Sequence, residues 1–168
     1  MTGKEALKRL QDGNTRFVND KLEGKFNNSE RRKELTGGQA PCAIILSCAD
    51  SRVVPELTFD TGLGEIFVVR VAGNIANVES IASIEYAVAH LGTKLIMVLG
   101  HQNCGAVTAA IAGGNNGYNL NVLLTQITPA IEAAGENATV NKVVCKNAEI
   151  VAHDLKIRSS IINNAVKK

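Results

Sequence analysis

The sequence predicts a single domain of the α/β class, built on an open parallel sheet. Three short, continuous apolar runs rich in branched residues lie at 42–46, 66–71 and 95–99, and such runs are typical of strands buried on both faces. Helical patterns alternate with them, which predicts parallel βαβ units joined by right-handed crossovers. We expect the strand order 2-1-3 and one domain over residues 1–168, with residues 1–36 forming an N-terminal helical arm.

The helices before the third strand follow from apolar spacing and from glycines. Residues 4–18 carry apolar side chains near helical spacing, so an N-terminal helix is predicted there. A short second helix is expected from Ser29 to Leu35, with Ser29 as its N-cap and Gly37-Gly38 at its end. A third helix is expected over residues 78–91, ended by Gly92.

The segment after the third strand is predicted to be helical apart from one glycine-rich loop. A helix is expected from Gly105 to Ala112, followed by a loop from Gly113 to Gly117. Two further helical stretches are predicted at 119–134, bent at Pro129, and at 140–166.

Composition disfavours several classes of function. The formal charge is only +2 and 20% of the residues are charged, which predicts neither a disordered tail nor an electrostatic nucleic-acid binder. Aromatic residues make up 4% and tryptophan is absent, which argues against platforms for base stacking. The sequence has no stretch of signal-peptide type and no run of ~18 apolar residues. We therefore expect a cytoplasmic protein with no nucleic-acid partner and no membrane partner.

Two of the four cysteines stand in a pattern typical of metal ligands. Cys48 lies just beyond the first predicted strand, and His101 and Cys104 lie just beyond the third. Ligands of open parallel sheets bind outside the carboxyl ends of the strands, so these three side chains are expected to meet. Three protein ligands leave the fourth zinc position open, as in catalytic sites. A free cysteine beside a core histidine would also explain the H-x-x-C pair, but Cys48 disfavours that alternative.

Cys42 and Cys145 lie in apolar segments, where buried thiols are expected. A reducing compartment would keep these thiols free.

Asp50 and Arg52 are the candidates for tuning this metal site. Two thiolates cancel the formal charge of zinc, yet the water on a catalytic zinc must reach a pKa near ~7. Asp50 can accept a hydrogen bond from metal-bound hydroxide, while the guanidinium of Arg52 holds the carboxylate in place. The alternative is a surface ion pair worth ~0 to 1 kcal/mol, which the closeness of the pair to Cys48 disfavours.

The stretch Cys48-Ala-Asp-Ser-Arg52, taken with His101-Gln-Asn-Cys104-Gly105, resembles the β-class carbonic anhydrases. The resemblance extends over nearly the whole chain and includes the segments 31–35, 38–41, 67–70, 72–74 and 83–87. It implies a zinc lyase, with one zinc per chain, that reversibly hydrates carbon dioxide to bicarbonate and a proton through attack of zinc-bound hydroxide.

The same resemblance implies roles for particular residues. The zinc ligands would be Cys48, His101 and Cys104, with Asp50 and Arg52 as the orienting pair. The substrate pocket would be formed by Gln39, Phe67, Ala72, Tyr86 and the backbone amide of Gly105. In this family some pocket residues come from the partner subunit, so a homodimer is expected, with Gln39, Phe67 and Tyr86 crossing the interface; a higher oligomer stays open.

His90 is the candidate for export of the proton that hydration releases. A histidine titrates near neutrality, and His90 lies one helical turn after Tyr86, at a position that resembles a proposed proton shuttle of related enzymes. The alternative is a histidine favoured at a helix C-terminus by the helix dipole. Arg70 and Asn74 follow the second strand and are expected to order the rim of the pocket.

The sequence departs from the family pattern at two places. Ala49 stands where many relatives carry a small hydroxyl residue, which is expected to have little effect. Family members also usually continue into another parallel strand and an edge hairpin, which are missing from this sequence. Because the third strand would then keep an unpaired edge, we expect the C-terminal helices or a partner chain to shield Leu95 to Leu99.

Three other functions are compatible with parts of the pattern. The same fold and ligands could hydrolyse carbon disulfide or carbonyl sulfide behind a narrow apolar entrance. A zinc-binding module without turnover would need no Asp50, Arg52 or Gln39. A dehydrogenase-type zinc site is disfavoured because no G-x-G-x-x-G motif follows a strand.

Overall fold

The computed structural model describes residues 1–167 and has a parallel sheet at its centre. The strands are β1 (Ala43–Ser47), β2 (Ile66–Arg70) and β3 (Ile96–Leu99), in the order β2-β1-β3. Ser47 pairs with Arg70 on one side and with Leu99 on the other, so the carboxyl ends of all three strands lie at one edge. The predicted fold class and strand order are confirmed.

Helices surround this sheet. Those before β3 are α1 (Gly3–Val18), α2 (Ser29–Glu34), α3 (Pro55–Thr58) and α4 (Val78–His90). Those after β3 are α5 (Gly105–Ala112), α6 (Tyr118–Thr125), α7 (Thr128–Ala134), α8 (Val140–Arg158) and α9 (Ser160–Val166). Two 3₁₀ turns, Leu35–Gly37 and Ala72–Asn74, complete the described elements.

Both faces of β1 are buried, as its continuous apolar sequence requires. Ile44 and Leu46 pack into a cluster with residues of α4, α8 and α9, whereas Ala43 and Ile45 pack with Leu10 of α1 on the opposite face. The helices therefore form layers on the two sides of the sheet and leave the carboxyl edge for the loops that follow the strands.

Four local predictions were wrong in detail. The N-cap of α2 is Asn28, which accepts a hydrogen bond from the Arg31 N–H at 2.9 Å, rather than Ser29. The stretch 119–134 is two helices, α6 and α7, because the chain breaks before Pro129, which lies in the first turn of α7. The stretch 140–166 breaks at Ser159, whose hydroxyl caps α9. Cys145 is exposed and Cys42 is half-buried, so neither thiol is fully buried.

The outer edge of β3 is shielded only in part. Helix α8 contacts β3, as expected of a C-terminal helix, but all four residues of β3 stay partly exposed. A cavity of about 600 Å³ lies beside them, lined by Leu95, Ile96 and Val98 and by residues of α4, α8 and α9.

Candidate metal centre

Three predicted ligands converge at the carboxyl edge of the sheet. Cys48 follows β1, His101 follows β3, and Cys104 is the N-cap residue of α5. Their ligand atoms all lie within 4.8 Å of one another, and the two Sγ atoms are 3.9 Å apart. Cys48 is 4% exposed and Cys104 is 1% exposed. The topology thus brings together residues separated by 56 positions in the sequence.

The donor set fits a zinc ion. His101 Nδ1 lies 3.0 Å from the Gln102 carbonyl oxygen, which assigns the ring proton to Nδ1 and leaves Nε2 with a lone pair. Within residues 1–167, Nε2 is buried and has no hydrogen-bond partner. A buried polar atom without a partner is costly, and a metal bound at this nitrogen would satisfy it. One imidazole and two thiols form a ligand set that zinc takes in catalytic sites.

The two thiols differ in acidity because they share a hydrogen bond. The thiol of Cys104 donates to Cys48, which lowers the pKa of Cys48 well below that of a free thiol, and the backbone N–H of Gly73, 3.3 Å from its Sγ, adds to the effect. The pKa of Cys104 is raised, first by the same contact with the Cys48 thiolate and then by burial. A metal that binds both sulfurs must therefore displace the proton held by Cys104.

Asp50 and Arg52 form a bidentate ion pair beside the ligands. Arg52 donates from Nε to Asp50 Oδ1 at 2.9 Å and from Nη2 to Oδ2 at 2.7 Å, and its backbone N–H adds a third hydrogen bond. The Arg52 side chain holds the pKa of Asp50 well below its usual range. Oδ2 of Asp50 lies 3.8 Å from His101 Nε2, so an ionised carboxylate faces the position where a metal would bind.

Arg70 fixes the loop that carries this pair, which goes beyond its predicted role of ordering the rim of the pocket. Its guanidinium donates to the carbonyl oxygens of Cys48 at 2.9 Å, Asp50 at 2.6 Å and Val53 at 2.9 Å. Arg70 ends β2, next to the end of β1. The sequence contained a signal for this role of Arg70. A charged residue ends an otherwise apolar strand, next to the strand that Cys48 follows.

The remaining predicted residues divide into two groups, of which the first lies near the metal ligands. Gly105 begins α5, directly after Cys104, and space is open around its Cα. Ala72 begins the 3₁₀ turn that also contains Gly73, the residue whose N–H reaches Cys48.

The second group lies away from the ligands of the same chain. Phe67 pairs with Ile44 of β1, and Ile44 lies four residues before Cys48. Four residues correspond to about 13 Å along a strand. Tyr86 on α4 is 49% exposed, and its ring lies 6.5 Å from Phe67 and 5.1 Å from His90 between centroids. Gln39 is exposed and lines a separate shallow cavity next to Leu35 and Leu63.

Comparison with known proteins identifies the family. The sequence profile of the family described as carbonic anhydrase matches residues 43–168. Carbonic anhydrase 2 of Mycobacterium tuberculosis is 49% identical over 112 residues, covering 67% of this chain and 54% of that protein. A carbonic anhydrase of Mycolicibacterium smegmatis is 42% identical over 142 residues, covering 82% of this chain and 68% of that protein. The chain belongs to the carbonic anhydrase family.

Solved structures place this chain in the β class of the family. A tetrameric β-carbonic anhydrase of Sordaria macrospora superposes with a TM-score of 0.74 at 27% identity, covering 94% of this chain and 84% of that one. A Coccomyxa β-carbonic anhydrase solved in complex with acetazolamide gives a TM-score of 0.74 at 26% identity, covering 94% of this chain and 74% of that one. The chain spans about half the length of the M. tuberculosis relative. None of the described helices is long and apolar enough to cross a bilayer.

Proposed function

We propose that this chain holds one zinc on Cys48, His101 and Cys104 and catalyses the reversible conversion of carbon dioxide and water into bicarbonate and a proton. The observation that carries the proposal is the convergence of these ligand atoms within 4.8 Å beside the carboxylate of Asp50. Bound zinc would supply a water of lowered pKa as the nucleophile. The membership of the family supports the same reaction.

Asp50 orients the nucleophile. Its carboxylate stays ionised because Arg52 lowers its pKa, so it can only accept hydrogen bonds. A hydroxyl group held near His101 Nε2 would donate a hydrogen bond to Asp50 Oδ2, which turns an oxygen lone pair away from Asp50 and toward carbon dioxide. Arg52 acts through Asp50 by fixing both carboxylate oxygens.

The backbone beside the ligands supports binding of the product. The N–H of Gly105 belongs to the first turn of α5, where N–H groups lack intrahelical partners and favour an anion. We assign Gly105 as a donor to bound bicarbonate and Ala72 as a small apolar wall of the pocket.

We further propose that the substrate pocket is completed by a second copy of the chain. Gln39 and Tyr86 are exposed and Phe67 is half-buried, and Phe67 lies far along the sheet from the ligands of its own chain. A homodimer in which these three side chains reach the partner's metal centre would bury them and close the pocket. The S. macrospora enzyme is a tetramer, so a higher oligomer of this chain is also compatible with the proposal.

His90 would then lie near the partner's site and export the proton. Its ring lies 5.1 Å from that of Tyr86 between centroids, and His90 is exposed to solvent, as a group that exchanges protons with buffer must be. The cytoplasm suits the proposed ligands, since a reducing compartment keeps Cys48 and Cys104 as thiols.

Carbon dioxide is favoured over carbon disulfide or carbonyl sulfide as the substrate. Relatives that match most of this chain are named carbonic anhydrases. The intact Asp50 and Arg52 ion pair also disfavours a zinc-binding module without turnover, because such a module has no nucleophile to orient.

Stopped-flow hydration of carbon dioxide on metal-quantified protein tests the proposal. We expect about one zinc per chain and activity that disappears on chelation and returns with zinc. Asp50→Ala should lower kcat/KM by about 10- to 100-fold without loss of zinc, whereas Ser51→Ala, an exposed neighbour, should match the wild type. If the protein bound one zinc per chain but did not hydrate carbon dioxide between pH 7 and 9, the proposed reaction would be wrong. A zinc-binding module without turnover would then be the function that fits.

A further inference from the structure

Helix α8 packs against the loops that contain the proposed metal ligands. Asn141 Oδ1 accepts a hydrogen bond from the Asn103 N–H at 3.1 Å, between His101 and Cys104. A methyl group at Gly100, the residue before His101, would lie only 2.9 Å from Val144 Cγ1. Asn147 makes a third contact between α8 and these loops, and this contact is linked to Cys48 through Gly73.

We propose that Asn147 is a positioning residue that fixes the sulfur of Cys48 through Gly73. Asn147 Nδ2 donates to the Gly73 carbonyl oxygen at 2.8 Å, and the Gly73 N–H donates to Cys48 Sγ at 3.3 Å. One residue is therefore held at its carbonyl by α8 and presents its N–H to a metal ligand. Asn147 lies 74 positions from Gly73 in the sequence.

Gly73 needs this anchor because its own backbone restrains it little. Its φ is 70°, in the left-handed region, and a side chain there would meet Ile127 Cδ1 at 2.9 Å. Glycine is therefore required at this position, and glycine has the widest conformational freedom of all residues. The hydrogen bond from Asn147 selects the orientation in which the Gly73 N–H points at the sulfur.

The placement of Asn147 within α8 indicates a specific role. Along the buried face of the helix, the positions at four-residue spacing are Val143, Asn147, Val151 and Leu155. Asn147 is the polar member of that apolar series, and it is 1% exposed. Burying an amide among apolar side chains is unfavourable unless it makes hydrogen bonds, so a valine or leucine would be expected here if packing alone were needed.

The effect on the metal follows from the chemistry of the thiolate. An N–H donor to sulfur withdraws electron density from the thiolate, which then gives less charge to a bound metal. Outer partners that orient metal ligands change metal affinity or activity by about 10- to 100-fold when removed. This inference rests on the proposed zinc site, but not on the identity of the substrate.

Two variants and one control test the role of Asn147. Asn147→Leu and Asn147→Asp keep the number of side-chain heavy atoms and the branch at Cγ, and they remove the N–H donor. Val151→Ala alters the same buried face one helical turn further along, away from the Gly73 carbonyl. Each purified chain is loaded with Co²⁺ for absorption spectroscopy, and its zinc affinity is measured by competition with a chromogenic chelator.

Both Asn147 variants should bind zinc about tenfold more weakly, because the loss of a fixed orientation for Cys48 outweighs the larger charge that its unbonded sulfur can donate. Their thiolate-to-cobalt charge-transfer band should move to longer wavelength, because an unbonded thiolate gives up its electron more easily. Val151→Ala should lose thermal stability but keep the wild-type band and affinity. A wild-type band and affinity in the Asn147 variants, an equal change in Val151→Ala, or failure of both Asn147 variants to fold would overturn the proposal. Absence of metal binding by the wild type would instead refute the proposed function.

Discussion

At the scale of single residues, the proposed chemistry depends on how Asp50 is held. The carboxylate lies 3.8 Å from His101 Nε2, and both of its oxygens accept from Arg52. Because Arg52 is an exposed side chain, the pair is worth little as an ion pair for stability. The ion pair instead sets the geometry of Asp50, because the planar guanidinium fixes the plane of the carboxylate. An ammonium group would not fix it.

Arg52→Lys should therefore lower kcat/KM by about 10- to 100-fold while zinc content and thermal stability stay close to those of the wild type. Stopped-flow hydration and metal analysis measure both. The double variant Asp50→Ala/Arg52→Lys should be no less active than Asp50→Ala alone, because Arg52 acts through Asp50. Additive losses in the double variant would show that Arg52 has a separate role.

A second carboxylate, Asp60, stabilises the fold. Burial raises the pKa of Asp60, but its ion pair with Arg16 and the N–H groups of Glu23 and Gly24 outweigh this, so the net pKa lies below its usual range. A carboxyl group whose pKa is lowered by folding adds stability above its unfolded pKa of ~3.9 and loses it as the pH falls through the folded value.

Asp60→Asn should lower the free energy of unfolding by roughly 1–3 kcal/mol at pH 7. Asparagine tolerates the positive φ of 46° at this position, so the change keeps the backbone and removes the charge together with one acceptor oxygen. In urea titrations, the difference from the wild type should stay constant above about pH 5 and shrink below about pH 4. Asp12→Asn, which removes an exposed carboxylate of α1, the helix that carries Arg16, should change stability by less than about 0.5 kcal/mol. A difference that grows on acidification would contradict the assignment.

The sequence predicted candidate ligands from their residue types, but it did not predict the contacts that depend on how the helices pack. Cys48, His101 and Cys104 could be found because few residue types bind zinc and because the ends of parallel strands share an edge. Asn147 and Gly73 could not be connected, since their contact depends on how α8 packs across the sheet and no spacing rule relates positions that far apart.

At the scale of elements, the apolar pattern of the sequence predicted the strands and the longer helices. The break within the stretch 140–166 and the N-cap of α2 were not predicted correctly, because local hydrogen bonds determine them. Ser159 interrupts a pattern that stays amphipathic to residue 166, because its hydroxyl caps α9 instead of continuing α8. Helix α3 has four residues and was missed, since a single turn is too short to show a period. Asn28 and Ser29 are both good N-caps, and only the structure shows which one accepts the hydrogen bond.

Helix α1 illustrates an element whose packing overrides its propensity. Gly13 lies inside α1 and is buried, and a Cβ at this position would lie 1.8 Å from the backbone oxygen of Phe59. Glycine in a helix ordinarily costs about 1 kcal/mol relative to alanine. Here it permits the backbone of α1 to approach the end of α3, which sets the helix against the sheet.

Gly13→Ala should therefore lower the free energy of unfolding by about 1–3 kcal/mol, the opposite of the usual gain, because backbone must move to admit the methyl group. Urea unfolding followed by circular dichroism measures this. Gln11→Ala, an exposed change in the same helix, should stay within about 0.5 kcal/mol of the wild type. Stabilisation by Gly13→Ala would mean that α1 does not pack closely against Phe59.

At the scale of the whole molecule, one chain brings together the proposed metal ligands but not all of the residues proposed to line the pocket. Gln39, Phe67 and Tyr86 lie away from the carboxyl edge where Cys48, His101 and Cys104 meet. Exposed aromatic side chains such as Tyr86 are enriched at interfaces between proteins. A twofold dimer would place each copy of these side chains at the other copy's site, since every contact in such an interface occurs twice.

Complementation between two variants of low activity tests this arrangement. Asp50→Ala impairs the metal centre, and Gln39→Ala impairs the pocket that the same chain would complete in its partner. Mixed dimers should contain one site in which both residues are intact, so a randomly exchanged equal mixture should recover about a quarter of wild-type activity. Stopped-flow hydration before and after subunit exchange measures the recovery, and light scattering confirms the dimer. If Gln39 served the site of its own chain, the mixture would stay as inactive as its components, because each chain would carry one defective site.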